Sequence, residues 1–273
     1  MRVAVVGLGT AGSAAALFLA RAGHTVTIFE ATPASKLGDY GAGIGIQPIG
    51  LTVLRRLGLL DAICDHGQRI DRLVGLNDQG RTVLDVSYSD LWLDQDKQLF
   101  GLGLHRGVLF HELHAAVQAQ EGIELICGAP VENVDTLSGD VSVGGGKGDF
   151  GPFDLVAVCD GRSSVRSSMD LRGEAHVYEK PYPFGALWAV LPDENRVFSD
   201  TNELSQVYSS NSTEVMLGFL PTGRTHSSDS TSPNKSSASG LRMVVVHQKL
   251  VLASPAIEFF AALRAAFPFP CYK

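Results

Sequence analysis

The segment Gly7-Leu8-Gly9-Thr10-Ala11-Gly12 constrains this chain more than any other. It stands between a short apolar run, Val3 to Val6, and an Ala- and Leu-rich stretch, Ser13 to Ala22, that stops at Gly23. Apolar residues without alternation read as a strand buried on both faces, and the Ala/Leu stretch ending on glycine reads as a helix with its stop. Thr25 to Phe29 is a second β-prone run, and it closes on Glu30. Strand, glycine turn, helix, strand and acid make a complete βαβ unit. In such a unit the first glycine permits the tight turn, the second lets backbone approach a pyrophosphate, and the third lets helix pack on strand. The helix N-terminus then turns its N–H groups toward the anion, and the acid accepts hydrogen bonds from a ribose diol. Gly7, Gly9, Thr10, Ala11, Gly12 and Glu30 are therefore candidate nucleotide-binding residues. A secretory signal is the competing reading, since Arg2 precedes a largely apolar stretch and Ala20-Arg21-Ala22 has small residues in a cleavage-site pattern. The regular glycines, the second strand and the acid favour the nucleotide.

Composition narrows the class. The 273 residues carry 22 Lys+Arg against 29 Asp+Glu, a net charge of −7, which supplies no basic footprint for nucleic acid. A hydrophobic fraction of 45% excludes a wholly disordered chain, and the length allows one large domain or two ordinary ones. Cys64, Cys127, Cys159 and Cys271 show no close spacing, which argues against a zinc site or disulfide framework and fits a reduced, cytoplasmic location. No metal is expected. No other run approaches the ~20 apolar residues of a membrane span.

Gly38, Gly41, Gly43 and Gly45 form a second glycine cluster, followed by helical spacing over Leu51 to Leu60 that stops around Gly58. The cluster is either a plain loop or a backbone that passes close to a flat cofactor. Arg106 precedes a helix-like run, Val108 to Gln118, where the helix dipole disfavours a cation. It is either a solvated side chain or one that reaches a phosphate or ring edge. Ile123 to Ile126 and Ala129 to Val134 read as short strands. Phe153 to Cys159 is a further buried-strand pattern, and it runs into Asp160-Gly161-Arg162-Ser163-Ser164-Val165-Arg166. Asp accepts from hydroxyls, Gly permits close approach and Arg pairs with phosphate, although a plain Asp-Gly turn is common.

Taken together, these pieces resemble the flavin-dependent aromatic hydroxylases with a para-hydroxybenzoate-hydroxylase-like fold. The residues that carry the resemblance are Gly7–Gly12 with Glu30, Gly41–Gly45 before Leu57-Gly58-Leu59, Arg106-x-x-Leu109, and 154–166. It implies an α/β fold: a Rossmann-like FAD-binding domain with an inserted, mostly antiparallel substrate sheet. Glu30 is then expected at the adenosine ribose, Arg106 near the flavin side, Asp160 and Gly161 at the FAD pyrophosphate, and Arg166 where NAD(P)H is received. The cofactor implied is FAD, with NAD(P)H as co-substrate and a small aromatic molecule as substrate. The expected division is 1–175 for cofactor binding (70–100 contributing to the substrate side), 176–224 for a partial substrate sheet, 225–240 for a Ser-rich linker and 241–273 for a divergent tail. In the sheet, Phe184 to Leu191, Leu204 to Ser209 and Val215 to Leu220 are β-prone. Trp188, Tyr208 and Phe219 are either pocket-lining or ordinary core.

The resemblance fades after Gly223. Seven serines crowd 225–240, Leu241 to Val246 reads as one strand, and Ile257 to Phe267 as one helix. The family's Gly-Asp motif after the substrate sheet has no counterpart, because Gly38-Asp39, Gly139-Asp140 and Gly148-Asp149 all precede that sheet. A C-terminal part that is truncated or divergent is expected. An FAD-dependent monooxygenase is the first reading. A catalytically impaired FAD- or ADP-binding fragment is the second, and an NAD-dependent dehydrogenase the third. No side chain is assigned as a catalytic base, and His105, His111 and His114 read as surface histidines.

Overall fold

The structure is a computed structural model. It describes residues 1–38, 41–91, 99–161, 165, 169, 184–193, 196, 198–209, 215–224 and 241–249. The chain divides into two compact units: Met1–Gly41 with Thr52–Asp65 and Arg106–Glu179, and Ala42–Leu51 with His66–His105 and Lys180–Lys273.

The first unit is built on a parallel sheet. Its strands are β1 (Arg2–Val6), β2 (Thr25–Glu30), β8 (Ile123–Cys127) and β12 (Leu155–Val158), in the order β12-β1-β2-β8. Helix α1 (Thr10–Arg21) joins β1 to β2, and α4 (Arg106–Ala119) precedes β8 and packs on α1. Val3, Ala4, Val5 and Val6 are all buried, which is why β1 shows no polar alternation. Between β8 and β12 runs an antiparallel meander of β9 (Val131–Val134), β10 (Val141–Val143) and β11 (Gly148–Phe150). One core holds Ala4, Phe29, Ala129, Val134, Val141, Val143 and Phe153, with Phe29 edge-on to Phe150 and Phe153 at 5.1 and 6.0 Å. Such aromatic contacts add to the burial of the rings themselves.

The second unit contains two sheets. A three-stranded antiparallel sheet places β7 (Gly101–His105) between β3 (Gly43–Ile46) and β4 (Gln68–Ile70). The larger one comprises β5 (Arg72–Asn77), β6 (Thr82–Ser87), β13 (Phe184–Pro192), β14 (Glu203–Tyr208), β15 (Val215–Gly223) and β16 (Leu241–Lys249), in the order β13-β16-β15-β14-β5-β6. Only β14 and β5 pair in parallel. The sheets meet closely. A Cβ on Gly103 would strike the carbonyl oxygen of Pro221, and Ile70, Tyr88 and Leu220 form a buried cluster there. After β3 the chain forms α2 (Pro48–Arg56) and α3 (Leu60–His66), most of whose residues belong to the first unit, with Gly58 at φ +70° between them.

The strand expected at Leu241 to Val246 extends to Lys249 and pairs on both sides, with β13 and with β15. The linker 225–240 and the helix expected at Ile257 to Phe267 lie outside the described residues. Register assigns the three aromatic residues. Trp188 aligns with Val245, Val245 with Gly218, and Gly218 with Gln206, two residues from Tyr208. Trp188 and Tyr208 therefore share one face and Phe219 takes the other. Trp188 is 51% exposed, Tyr208 lies over Gly75, and Phe219 stacks on Phe198 at 4.7 Å. Among the described residues no helix is long and apolar enough to cross a membrane, and no cluster could hold a metal ion.

Candidate nucleotide-binding site

The four parallel strands end on one edge of their sheet. Because β1 is followed through α1 by β2 on one side while β12 lies on the other, the chain parts at the end of β1, which is where open α/β sheets bind ligands.

Each glycine of the first loop is there for a different reason. Gly7 has φ +99°, donates its N–H to Phe29 O at 2.8 Å, and a Cβ there would lie 2.8 Å from Cys159 O and 3.2 Å from Asp160 Cα. A Cβ on Gly12 would strike the Gly7 carbonyl oxygen. Gly9 differs: among the described residues its Cβ would meet nothing within 4 Å. It is the N-cap of α1, supplies no capping side chain, and is followed by exposed Thr10 and Ala11, with no acidic residue in the first turn. The α1 N-terminus thus presents its N–H groups and positive dipole end to open space, as a bound anion requires.

Glu30, at the end of β2, is held by backbone. Leu8 N–H donates to Oε2 at 2.8 Å and Thr32 N–H to Oε1 at 2.7 Å, which ties the acid to the glycine turn. Each carboxylate oxygen keeps a further lone pair for a ligand hydroxyl. These two anchors leave no mark in the sequence, because they are main-chain groups.

Asp160 and Gly161 follow β12. Val165 N–H donates to Asp160 Oδ2 at 2.6 Å, so the acid closes its own turn, while Gly161 has φ +67° and, among the described residues, nothing within 4 Å of where a Cβ would stand. The structure therefore brings Gly7 against Asp160 and Leu8 against Glu30 at one sheet edge. Arg162, Ser163, Ser164 and Arg166 lie outside the described residues.

Arg106 opens α4 and is exposed. Its stem lies along Gly41, at φ +145°, where a Cβ would come within 3.0 Å of Arg106 Cβ and Cδ. The second glycine cluster therefore does two things: Gly41 accommodates Arg106, and Gly43 to Ile46 form β3. Two thiols also stand at the strand ends. Burial, then the Asp160 charge, pushes the Cys159 thiol above its usual range, and burial, then Glu30, does the same for Cys127 despite Lys147. His114 stacks on Phe110 at 5.6 Å, and burial followed by the charge of His111 lowers its pKa.

A family described as an FAD binding domain matches residues 1–140. Kynurenine 3-monooxygenase of Salinispora arenicola (strain CNS-205) is 32% identical over 208 residues, covering 70% of this chain and 43% of that protein. A 3-hydroxybenzoate 6-hydroxylase of Klebsiella oxytoca is 28% identical over 171 residues, covering 62% and 42%. Among solved structures, 2-methyl-3-hydroxypyridine-5-carboxylic acid oxygenase superposes with a TM-score of 0.74 at 18% identity, covering 98% of this chain and 64% of that one. The chain spans less than half the length of these curated relatives.

Proposed function

The chain belongs to the FAD-binding-domain family, and from that premise we propose that it serves an FAD-dependent monooxygenase that hydroxylates a small aromatic substrate with NAD(P)H and O2. The observation that carries the proposal is the open α1 N-terminus at Gly9, flanked by an anchored Glu30 and by the Gly7–Asp160 approach. The residues suit the adenine dinucleotide half of FAD. The N–H groups of Thr10 and Ala11 take the pyrophosphate, and Glu30 takes the adenosine ribose diol. Asp160 and Gly161 border the pyrophosphate, and Arg106 supplies a cation on the flavin side. Arg166, beyond the described residues, is assigned to NAD(P)H by family resemblance alone.

When bound, FAD supplies the redox chemistry that draws electrons from NAD(P)H and directs oxygen onto the aromatic ring. This chain's part is to bind, orient and exclude water. The relatives named above include enzymes of kynurenine and hydroxybenzoate, which supports an aromatic substrate. A cytoplasmic location belongs to the same proposal and is supported by Cys127 and Cys159 being thiols rather than disulfides.

The test is spectroscopic. The purified protein is expected to carry or take up FAD with visible flavin absorbance, and to oxidise NAD(P)H faster when an accepted phenol is present. A colourless protein that cannot be reconstituted with FAD would refute the proposal.

A further inference from the structure

One face of the small sheet in the second unit carries glycine at four places. Gly45 pairs with Gly103 across β3 and β7, Gly43 lies two residues before Gly45 and Gly101 two residues before Gly103, so all four glycines share a face. At two of these positions, Gly101 and Gly103, the protein itself fills the space. A Cβ on Gly101 would lie 2.7 Å from the Tyr88 hydroxyl oxygen, and one on Gly103 would strike the Pro221 carbonyl oxygen. At Gly45 nothing among the described residues comes within 4 Å, and the residue is exposed. Bare backbone beside open space is what a flat ring needs to lie at van der Waals distance.

Gln47 stands two residues beyond Gly45. Its Oε1 accepts the Tyr88 phenol at 2.7 Å, and Tyr88 is itself only 4% exposed. Burial raises the phenol's pKa further above neutral, and the protonated hydroxyl is the donor. With its oxygen claimed in this way, the Gln47 amide has a set orientation, and its two Nε2 hydrogens are the donors left over. The glutamine is otherwise exposed, and no other partner for its amide occurs among the described residues.

We propose that Gln47 is a binding residue whose Nε2 donates to an oxygen on the edge of a planar ring lying over Gly45, with Tyr88 positioning it. This rests on the monooxygenase reading. The ring's chemistry is that of a carbonyl or phenolate oxygen on an aromatic system, which either the cofactor's ring or the substrate can supply.

The test uses the full chain with two probes: lumiflavin for the cofactor ring and 3-hydroxybenzoate for a substrate ring. Q47E keeps an acceptor for Tyr88 but replaces the donor with an oxygen that repels the ring oxygen. It is expected to weaken binding of at least one probe about tenfold at unchanged melting temperature. Loss confined to lumiflavin assigns the contact to the cofactor, and loss confined to 3-hydroxybenzoate assigns it to the substrate. Y88F, which frees the amide to rotate, is expected to weaken the same probe by less. Should Q47E melt early, Q47M removes donor and acceptor together and reads the same effect. Wild type and Q47E binding both probes equally would overturn the inference alone. A wild-type chain that binds neither probe nor FAD would overturn the functional reading and this inference with it.

Discussion

The Leu8 backbone N–H donates to Glu30 Oε2 at 2.8 Å, so the acid proposed for the ribose also fixes the shape of the glycine turn. Leu8 is 1% exposed, and without that acceptor its N–H loses the partner that the structure gives it. Glu30→Ala is therefore expected to act twice. It should cost about 1–3 kcal/mol of stability, as a buried donor loses its partner, and weaken FAD binding tenfold or more. Thermal melting with FAD titration checks both, and unchanged binding would show that Glu30 does not meet the ribose.

Gly9 and Gly12 are expected to part ways when each becomes alanine. Gly9 has φ −69°, ordinary for any residue, and open space for a methyl group. Gly9→Ala should leave the melting temperature nearly unchanged and reduce FAD affinity, because the methyl stands where the proposed site takes the pyrophosphate. Gly12→Ala drives a methyl into the Gly7 carbonyl oxygen and should cost about 1–3 kcal/mol through overpacking. Equal melting temperatures for the two variants would contradict this division.

Arg21 tests how α1 is held. Its guanidinium donates to Arg56 O at 3.4 Å, to Leu57 O at 3.1 Å and through Nε to Gln120 Oε1 at 3.2 Å, which caps the C-terminal end of α2. Arg21→Met keeps the stem and removes the donors. A loss of about 1 kcal/mol is expected from carbonyls left to water, seen as a lower denaturant midpoint with FAD affinity unaltered.

His114 sets one pH dependence. Burial and the neighbouring His111 lower its pKa in the folded chain below the ordinary histidine value. The unfolded chain therefore binds the proton more readily, and the contribution is present above pH 6.5 and lost as pH falls through the folded value. Denaturation between pH 5 and 8 should show stability falling on the acid side, and His114→Phe should flatten that slope. A slope unaffected by the substitution would assign it to other groups.

The glycine-to-carbonyl contact of Gly103 with Pro221 predicts the largest structural effect. Gly103→Ala forces two strands apart where no side chain can yield, and about 3 kcal/mol or more of destabilisation is expected. Calorimetry that found a small change would mean the sheets can separate locally.

The parts legible in the sequence were those with a local period. Val3–Val6, the helix ending at Gly23, Glu30, and the strands near 184–191, 204–209 and 215–220 each declare themselves through alternation, apolar runs or glycine stops. The strands of 72–77 and 82–87 did not, because Leu73-Val74-Gly75-Leu76 and Val83-Leu84-Asp85-Val86 do not alternate apolar and polar residues. Sequence reasoning also left Trp188, Tyr208 and Phe219 unassigned, since one residue of register turns every side chain to the other face.

What the sequence determined by itself is the nucleotide-binding βαβ unit, since turn, helix and acid are all specified within thirty residues. Tertiary structure alone decided that Asp160 comes to Gly7, that Glu30 is held by Leu8 and Thr32, and that Gly41 accommodates Arg106. It also decided that Gly45 faces open space beside Gln47. The physical reason is that propensity and periodicity act over a few residues. These approaches, in contrast, depend on strand order and register, which are settled only when distant segments pair and exclude water together.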